Sequence, residues 1–144
     1  MGKRRISKMS GGGADRGKRE RALSRISKKK LDKAVLHIES TFNNTRVTLT
    51  DQQGGAVMWA SSGSMGFAGT RKGTPFAAAK VGEVIGEKAM ATGIKEVEVF
   101  VKGVGAGRES ALRSFAGKGI QLSAIHDITP VPHNGPRPRK PRRV

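Results

Sequence analysis

A glycine-rich segment at residues 102–110 has the composition of an anion-binding loop. Its glycines stand at alternate positions: Gly103, Gly105 and Gly107. Because glycine lacks a Cβ, the backbone N–H groups of such a loop can crowd around a negatively charged oxygen. Lys102 and Arg108 flank the glycines, and a helix predicted to begin at Arg108 would add the partial positive charge of its N-terminus. The segment predicts a phosphate contact, and a tight turn without a ligand is the alternative.

A free nucleotide fits this loop poorly. Its spacing is G-x-G-x-G, so Arg108 stands where a dinucleotide fingerprint has its third glycine. No G-K-[ST] sequence follows, which excludes the usual nucleotide P-loop. A phosphate of RNA is therefore the expected anion.

Residues 66–75 form a second glycine-rich approach to a predicted helix start, and they carry Arg71 and Lys72. In an alternating strand and helix topology, both glycine-rich segments would emerge where strands end and helices begin. We therefore expect them to share one basic edge of the sheet. The alternative for residues 66–75 is a flexible, solvated connector.

A predicted turn at residues 42–45 presents one aromatic ring and two amides. These groups belong to Phe42, Asn43 and Asn44, and they suit stacking on a base and hydrogen bonding to ribose or phosphate. A simple hairpin turn is the alternative. In that case asparagine would adopt a positive φ and Phe42 would pack under the turn.

Residues 130–144 combine prolines with basic side chains and contain no acidic residue. Prolines keep the backbone extended, so few conformations are lost when the segment lies along RNA. The predicted RNA contacts in this segment are His133, Asn134, Arg137, Arg139, Lys140, Arg142 and Arg143. Asn134 precedes Gly135, a pair that favours deamidation, and we hypothesise that Asn134 becomes isoaspartate.

Catalytic and metal-binding patterns are weak. Glu83 and Glu87 are spaced i, i+4, but they stand among lysines, which is typical of a solvated helix face. His37 and His126 lie on predicted strands between apolar residues, where a structural role is expected. No G-x-S-x-G elbow is present and the serines of the core lack a recognisable base partner, so we expect no catalytic residue. We likewise expect no metal and no cofactor.

The elements that position these segments follow from hydrophobic patterning. Residues 34–40, 45–50 and 56–61 are β-branched or apolar runs separated by short turn sequences, which predicts an antiparallel meander. Thr74-Pro75 is a strong helix opening, with threonine as N-cap and proline at the first helical position. Apolar residues at spacings of three and four then predict a helix over residues 75–91.

The rest of the core alternates strand and helix. A strand is predicted at residues 95–101, a helix at 108–118 and a strand at 120–128. The order βββαβαβ predicts an α/β domain with a mixed sheet, because each β-α-β step needs a crossover helix between parallel strands. Gly82 and Gly86 lie one turn apart on the first helix and predict a close approach of that helix to the sheet.

Charge divides the chain into three parts. The formal net charge is +17, and residues 1–33 hold 13 basic and 3 acidic residues, while residues 130–144 hold 5 basic residues. Residues 34–129 are nearly balanced, with 10 basic and 8 acidic residues, and form the predicted α/β core domain. The two basic arms lack the apolar content to form a packed core, so we expect them to be disordered until they meet a polyanion.

The same composition bears on compartment. The chain has no cysteine, which fits a reducing compartment, and no apolar run of membrane-spanning length. We expect a cytoplasmic protein. An organellar transit peptide at residues 1–33 is the minority alternative, since that segment is rich in arginine, lysine and serine.

Several motifs together make residues 35–144 resemble the bacterial-type ribosomal protein S-eleven family. The matching residues are His37-Ile38, Ser40-Thr41-Phe42-Asn43-Asn44-Thr45, Gly66-Phe67, Thr74-Pro75-Phe76-Ala77-Ala78, Lys102-Gly103 with Gly105, Gly107-Arg108-Glu109-Ser110 and Pro132-His133-Asn134-Gly135. Departures from the family pattern are Val104 for a usual proline, Ala68 for a common lysine and Pro136 for a common cysteine. The long N-terminal arm has no good counterpart.

The resemblance implies a ribonuclease H-like fold that lacks that fold's catalytic carboxylates and has no enzymatic activity. It implies a place on the platform of the small ribosomal subunit, near the mRNA exit cleft, beside ribosomal proteins S-seven and S-eighteen. There the family binds the central domain of small-subunit rRNA. Arg113, on the second predicted helix, completes the expected rRNA-binding residues. The rival hypotheses are a generic nucleic-acid-compacting protein and a ribonuclease H-like enzyme.

Overall fold

The computed structural model describes residues 30–143, so nearly all of the predicted N-terminal arm lies outside the described residues. The described elements are β1 (Lys33–Ser40), β2 (Thr45–Thr50), β3 (Ala56–Ser61), a 3-10 helix (Gly69–Gly73), α1 (Pro75–Thr92), β4 (Glu96–Lys102), α2 (Arg108–Ala116) and β5 (Gln121–Asp127). The predicted order of strands and helices is confirmed, and element ends differ from prediction by one or two residues.

One mixed sheet runs through the domain in the order β3-β2-β1-β4-β5. The first three strands are antiparallel neighbours, and Ile38 of β1 pairs with Val47 of β2. On its other side β1 runs parallel to β4, where Ile38 pairs with Val101, and β4 runs parallel to β5. The chain passes through α1 between β3 and β4, and through α2 between β4 and β5. A crossover helix therefore precedes each of the two strands that pair in parallel.

Both helices cover the same face of the sheet. Helix α1 packs on β2 and β3, while α2 packs on β1 and against α1. The strands alternate side chains between the two faces, and those facing the helices are fully buried, among them Leu36, Leu49 and Val99. Phe115 of α2 is the largest fully buried side chain of this core.

Helix α1 begins and ends as predicted. The backbone N–H of Ala77 donates to Thr74 Oγ1 at 3.3 Å, Pro75 is the first helical residue, and Gly93 ends the helix with a φ of 88°. The interpretation of the helix glycines is corrected. A Cβ on Gly82 would collide with the carbonyl oxygen of Ala111, so this glycine permits close approach of α1 to α2 rather than to the sheet.

The opposite face of the sheet carries one partly exposed row of side chains, to which every strand contributes. From β3 to β5 the row is Trp59, Thr48, His37, Phe100 and His126. The rings of His37 and Phe100 stack with centroids 5.6 Å apart, and those of Phe100 and His126 stack at 5.1 Å.

Both strand histidines find partners inside the chain. His37 Nε2 lies 3.3 Å from Thr50 Oγ1, and His126 Nε2 lies 3.0 Å from Glu98 Oε1. These contacts agree with the structural role predicted for the two residues. None of the helices in residues 30–143 has the length and apolar content needed to cross a membrane.

Candidate nucleic-acid interface

The turn between β1 and β2 is the centre of the predicted RNA-binding surface, because both glycine-rich segments pack against it. A Cβ on Gly73 would collide with the carbonyl oxygen of Phe42. A Cβ on Gly103 would collide with the carbonyl of Ser40, and one on Gly105 with that of Thr41. The three segments therefore meet at one edge of the sheet, as expected. We call residues 41–44, 69–73 and 102–107 the loop edge.

Phe42 projects from this edge with 78% of its surface exposed. The alternative in which Phe42 packs under the turn is therefore wrong. The turn is held instead by Thr41, whose backbone N–H donates to the Asn44 carbonyl at 2.8 Å and whose Oγ1 accepts from the Asn44 N–H at 3.1 Å. An aromatic ring on a fixed turn is available to stack on a base without first being ordered.

The two asparagines of the turn differ in exposure. Asn43 is exposed, whereas Asn44 is half-buried and its Oδ1 is buried without a hydrogen-bond partner among the described residues. Neither adopts positive φ, since Asn134 is the one non-glycine residue with positive φ in the described chain. The left-handed asparagine turn, which belonged to the simple-hairpin alternative, is therefore wrong.

The second glycine-rich segment forms the 3-10 helix and exposes Arg71. Thr74 Oγ1 donates to the Arg71 carbonyl at 2.7 Å, which joins this short helix to the start of α1. Phe76 follows with 59% of its surface exposed, and Lys80 Nζ lies 5.6 Å from the centroid of its ring. The segment is thus ordered and not the flexible connector that was the alternative.

The backbone of the first glycine-rich segment differs from the predicted phosphate cradle. The Gly105 N–H donates to the Ser40 carbonyl at 3.0 Å, and the Gly103 N–H donates to Thr129 Oγ1 at 3.2 Å. Two of the N–H groups expected to face an anion therefore have partners within the protein. The glycines allow close packing against the β1–β2 turn, which is the tight-turn alternative.

Arg108 also has partners within the chain. Its Nη1 donates to the Gly103 carbonyl and to Thr129 Oγ1, the latter at 3.2 Å, and its Nη2 donates to Asp127 Oδ2 at 2.5 Å. Asp127 Oδ1 in turn accepts from the Thr129 N–H at 2.9 Å and from Thr129 Oγ1 at 2.6 Å. We call Arg108, Asp127 and Thr129 the clasp.

The electrostatics of the clasp follow from these bonds. Hydrogen bonds from Thr129, and then from Arg108, hold the pKa of the Asp127 carboxyl well below its usual range. Asp127 is therefore ionised at neutral pH and offsets the charge of Arg108. The direct phosphate contact predicted for Arg108 would have to compete with these bonds.

Most of the remaining predicted basic residues are more accessible, whereas Lys72 in the 3-10 helix is half-buried. Lys102 is exposed at the end of β4, and Arg113 on α2 is 81% exposed at its side chain while pairing with Glu109 at 3.3 Å. Residues 130–143 contain no helix or strand and all are exposed. That range includes His133, Asn134, Arg137, Arg139, Lys140, Arg142 and Arg143.

A cation-binding centre has no support in the described residues, where no three histidine or carboxylate groups lie close enough to hold a metal ion.

The family model for Ribosomal protein S11 matches residues 34–143, which includes every segment of the loop edge and the clasp. This chain belongs to the ribosomal protein S11 family. The resemblance seen in the sequence motifs is therefore confirmed.

Curated members of the family match most of the chain. Small ribosomal subunit protein uS11 of Caldicellulosiruptor saccharolyticus is 52% identical over 124 residues, which cover 86% of this chain and 95% of that protein. Small ribosomal subunit protein uS11 of Caldicellulosiruptor bescii matches with the same identity and coverage. The similarity therefore spans the core and both loop-edge glycine segments.

For this member of the S11 family, sequence reasoning missed three residues at the site. Phe76 and Lys80 lie beside the 3-10 helix, and their position on the polar side of the α1 pattern was a signal that could have revealed them. In the sequence, Asp127 lies near the end of the strand predicted at residues 120–128, and nothing there indicates a special role. Its partner Arg108 is 19 residues away in sequence, and no local spacing rule connects the two.

Proposed function

We propose that this chain is a structural constituent of the small ribosomal subunit and binds small-subunit rRNA through the loop edge and the C-terminal arm. The observation that carries the proposal is the meeting of three segments around exposed Phe42, in a chain of the S11 family. An exposed aromatic ring beside basic side chains can stack on an unpaired base while the cations neutralise nearby phosphates.

The residues divide by role. Phe42 stacks on a base, Asn43 hydrogen-bonds to base or ribose, and the cations contact phosphate. The proposed phosphate-binding residues are the half-buried Lys72 and the exposed Arg71, Lys102, Arg113, Arg137, Arg139, Lys140, Arg142 and Arg143. His133 and Asn134 contact RNA at the start of the arm, while the glycines of residues 103–107 shape the loop that supports Phe42.

Further parts of the proposal concern fold and place. The fold is ribonuclease H-like, which is supported by the strand order β3-β2-β1-β4-β5 with three antiparallel strands followed by two parallel ones. We assign no catalytic activity, cofactor or metal to the chain. The protein lies on the platform near the mRNA exit cleft, beside ribosomal proteins S-seven and S-eighteen, in cytoplasmic ribosomes, with an organellar ribosome as the alternative.

Crosslinking in purified small subunits tests this function. A photoreactive group at position 42 is expected to crosslink to one segment of small-subunit rRNA, because Phe42 points outward at the loop edge. A generic nucleic-acid-compacting protein would give crosslinks to many RNA segments or to DNA, and that result would overturn the proposal. Cleavage of an RNA–DNA hybrid by the purified chain would support the enzyme hypothesis instead.

We also propose that Asn134 is a site of isoaspartate formation. Asn134 is exposed and precedes glycine, whose missing side chain leaves its backbone nitrogen unhindered. Attack by the Gly135 nitrogen on Asn134 Cγ releases ammonia and forms a succinimide, which water opens to isoaspartate or aspartate. Peptide mapping of assembled subunits that finds only unmodified Asn134 would reject this site.

A further inference from the structure

The clasp lies at the place where the chain leaves the folded domain. The Ile128 N–H donates to the Val101 carbonyl at 2.9 Å, one residue beyond the end of β5. Thr129 then accepts a hydrogen bond from Arg108 and donates two to Asp127. Residues 130–143 follow without helix or strand. Thr129 is therefore the last residue that the described domain fixes in direction.

The clasp is too exposed to serve mainly as a stabiliser of the core. The side chain of Arg108 is 30% exposed and that of Asp127 is 55% exposed. Ion pairs at this level of exposure contribute little to the free energy of unfolding. Yet six hydrogen bonds converge here and join the first glycine loop, the end of β5 and the start of the arm. Such a network holds these three segments in a fixed arrangement relative to one another.

We infer that the clasp positions the C-terminal arm, directing residues 130–143 toward the same RNA that the loop edge binds. This inference rests on the proposed function. Two binding segments on one domain reinforce each other when the connection between them holds the second near its target. A fixed departure direction raises the effective concentration of the arm's basic side chains at the RNA, and Arg108, Asp127 and Thr129 are then positioning residues.

Asp127 gives this inference a test in which the sign of the effect is informative. The substitution Asp127→Asn removes one negative charge from the chain, so electrostatics alone predicts tighter binding to RNA. Positioning predicts the opposite result, because the amide cannot sustain the charged bond to Arg108. Thr129→Val is the companion variant, since it removes the hydroxyl at nearly constant volume and leaves the charge unchanged.

The experiment measures affinity of the full-length chain for small-subunit rRNA in two backgrounds. One has the natural arm, and the other has its five basic residues replaced by glutamine: Arg137, Arg139, Lys140, Arg142 and Arg143. With the natural arm, Asp127→Asn and Thr129→Val are each expected to weaken binding about tenfold. In the neutralised background the same substitutions are expected to change affinity by less than about twofold.

Glu96→Gln is the matched control. Glu96 is likewise a carboxylate in an ion pair, with Lys33 at 2.9 Å, but it is only partly exposed and lies at the other end of β4 from the clasp. Its replacement is expected to leave binding unchanged or slightly tighter in both backgrounds. Thermal unfolding of each variant verifies the fold, and Thr129→Val carries the test if Asp127→Asn fails to fold.

A second readout reports direction itself. The chain contains no cysteine, so Pro138→Cys creates a unique attachment point for a hydroxyl-radical probe. With an intact clasp, rRNA cleavage is expected in one narrow region, and with Thr129→Val the cleavage should spread. Equal losses of affinity in both backgrounds, or an unchanged cleavage pattern, overturn the positioning role. Absence of any preference for small-subunit rRNA in the unsubstituted chain would instead refute the proposed function.

Discussion

At the scale of single residues, exposure separates side chains that hold the fold from those available to RNA. Phe42 and Trp59 are both largely exposed aromatics, at 78% and 60%, yet their settings differ. Phe42 lies on a turn against which two glycine-rich segments pack. Trp59 lies on the open sheet face, at the edge strand β3. The difference in setting allows their roles to be tested against each other.

Phe42→Ala is expected to weaken binding to small-subunit rRNA by about 1–3 kcal/mol, the cost of losing one stacked base. Because the ring buries little protein surface, the free energy of unfolding should stay within about 0.5 kcal/mol of the unsubstituted value. Filter binding and urea unfolding measure the two quantities. Trp59→Ala is the control, and a larger loss of affinity for Trp59→Ala than for Phe42→Ala would move the base-stacking site to the sheet face.

Two features of Gly103 require glycine: its positive φ and the lack of space for a Cβ. A comparison with Gly54 separates the effects of the two features on stability. Gly103 has a φ of 102°, and an added Cβ would collide with the Ser40 carbonyl. Gly54 has a φ of 88° but open space around it. Gly54→Ala should therefore cost about 1 kcal/mol of stability from backbone strain, and Gly103→Ala clearly more. Equal losses in urea unfolding would show that the contact with the β1–β2 turn is unimportant.

At the scale of elements, the sequence predicted what depends on local pattern. Alternation along residues 45–50 and the Thr74-Pro75 opening predicted β2 and the start of α1, because period and capping are local properties. Partners distant in sequence could not be predicted in this way. The packing of Gly82 against Ala111, and the bond from Arg108 to Asp127, depend on how α1, α2 and β5 assemble in three dimensions.

The contact of α1 with α2 gives an element-scale prediction. In an isolated helix, glycine to alanine stabilises by about 1 kcal/mol. Gly82→Ala is expected to destabilise instead, because the Ala111 backbone occupies the space and cannot move without shifting α2. A Cβ in Gly86→Ala would lie 2.7 Å from Lys118 Cγ, 3.2 Å from Lys118 Cβ and 3.3 Å from the Phe115 carbonyl oxygen. Because its closest contact is a side chain and not backbone, Gly86→Ala should destabilise less than Gly82→Ala. Urea unfolding compares the two, and a stabilising Gly82→Ala would contradict this packing.

At the scale of the whole molecule, the excess positive charge and the folded RNA-binding surface lie in different parts of the chain. The core at residues 34–129 is nearly balanced in charge, and Phe42 and Asn43 are exposed at the loop edge. The arm at residues 130–144 carries 5 basic residues and no acidic one. Phosphate contacts supply affinity that depends on salt, whereas stacking and shape supply preference for one RNA. Affinity and specificity should therefore respond to different substitutions.

Neutralising the five basic residues of the arm with glutamine is expected to reduce the salt dependence of rRNA binding. Each lost phosphate contact reduces the magnitude of the slope of log affinity against log salt by about 0.7–0.9, so the arm accounts for roughly 3.5–4.5 if all five residues engage. The preference for small-subunit rRNA over a length-matched RNA should persist. Phe42→Ala should do the reverse, lowering the preference while leaving the slope unchanged. If arm neutralisation abolishes the preference and Phe42→Ala does not, the arm and not the loop edge reads the RNA.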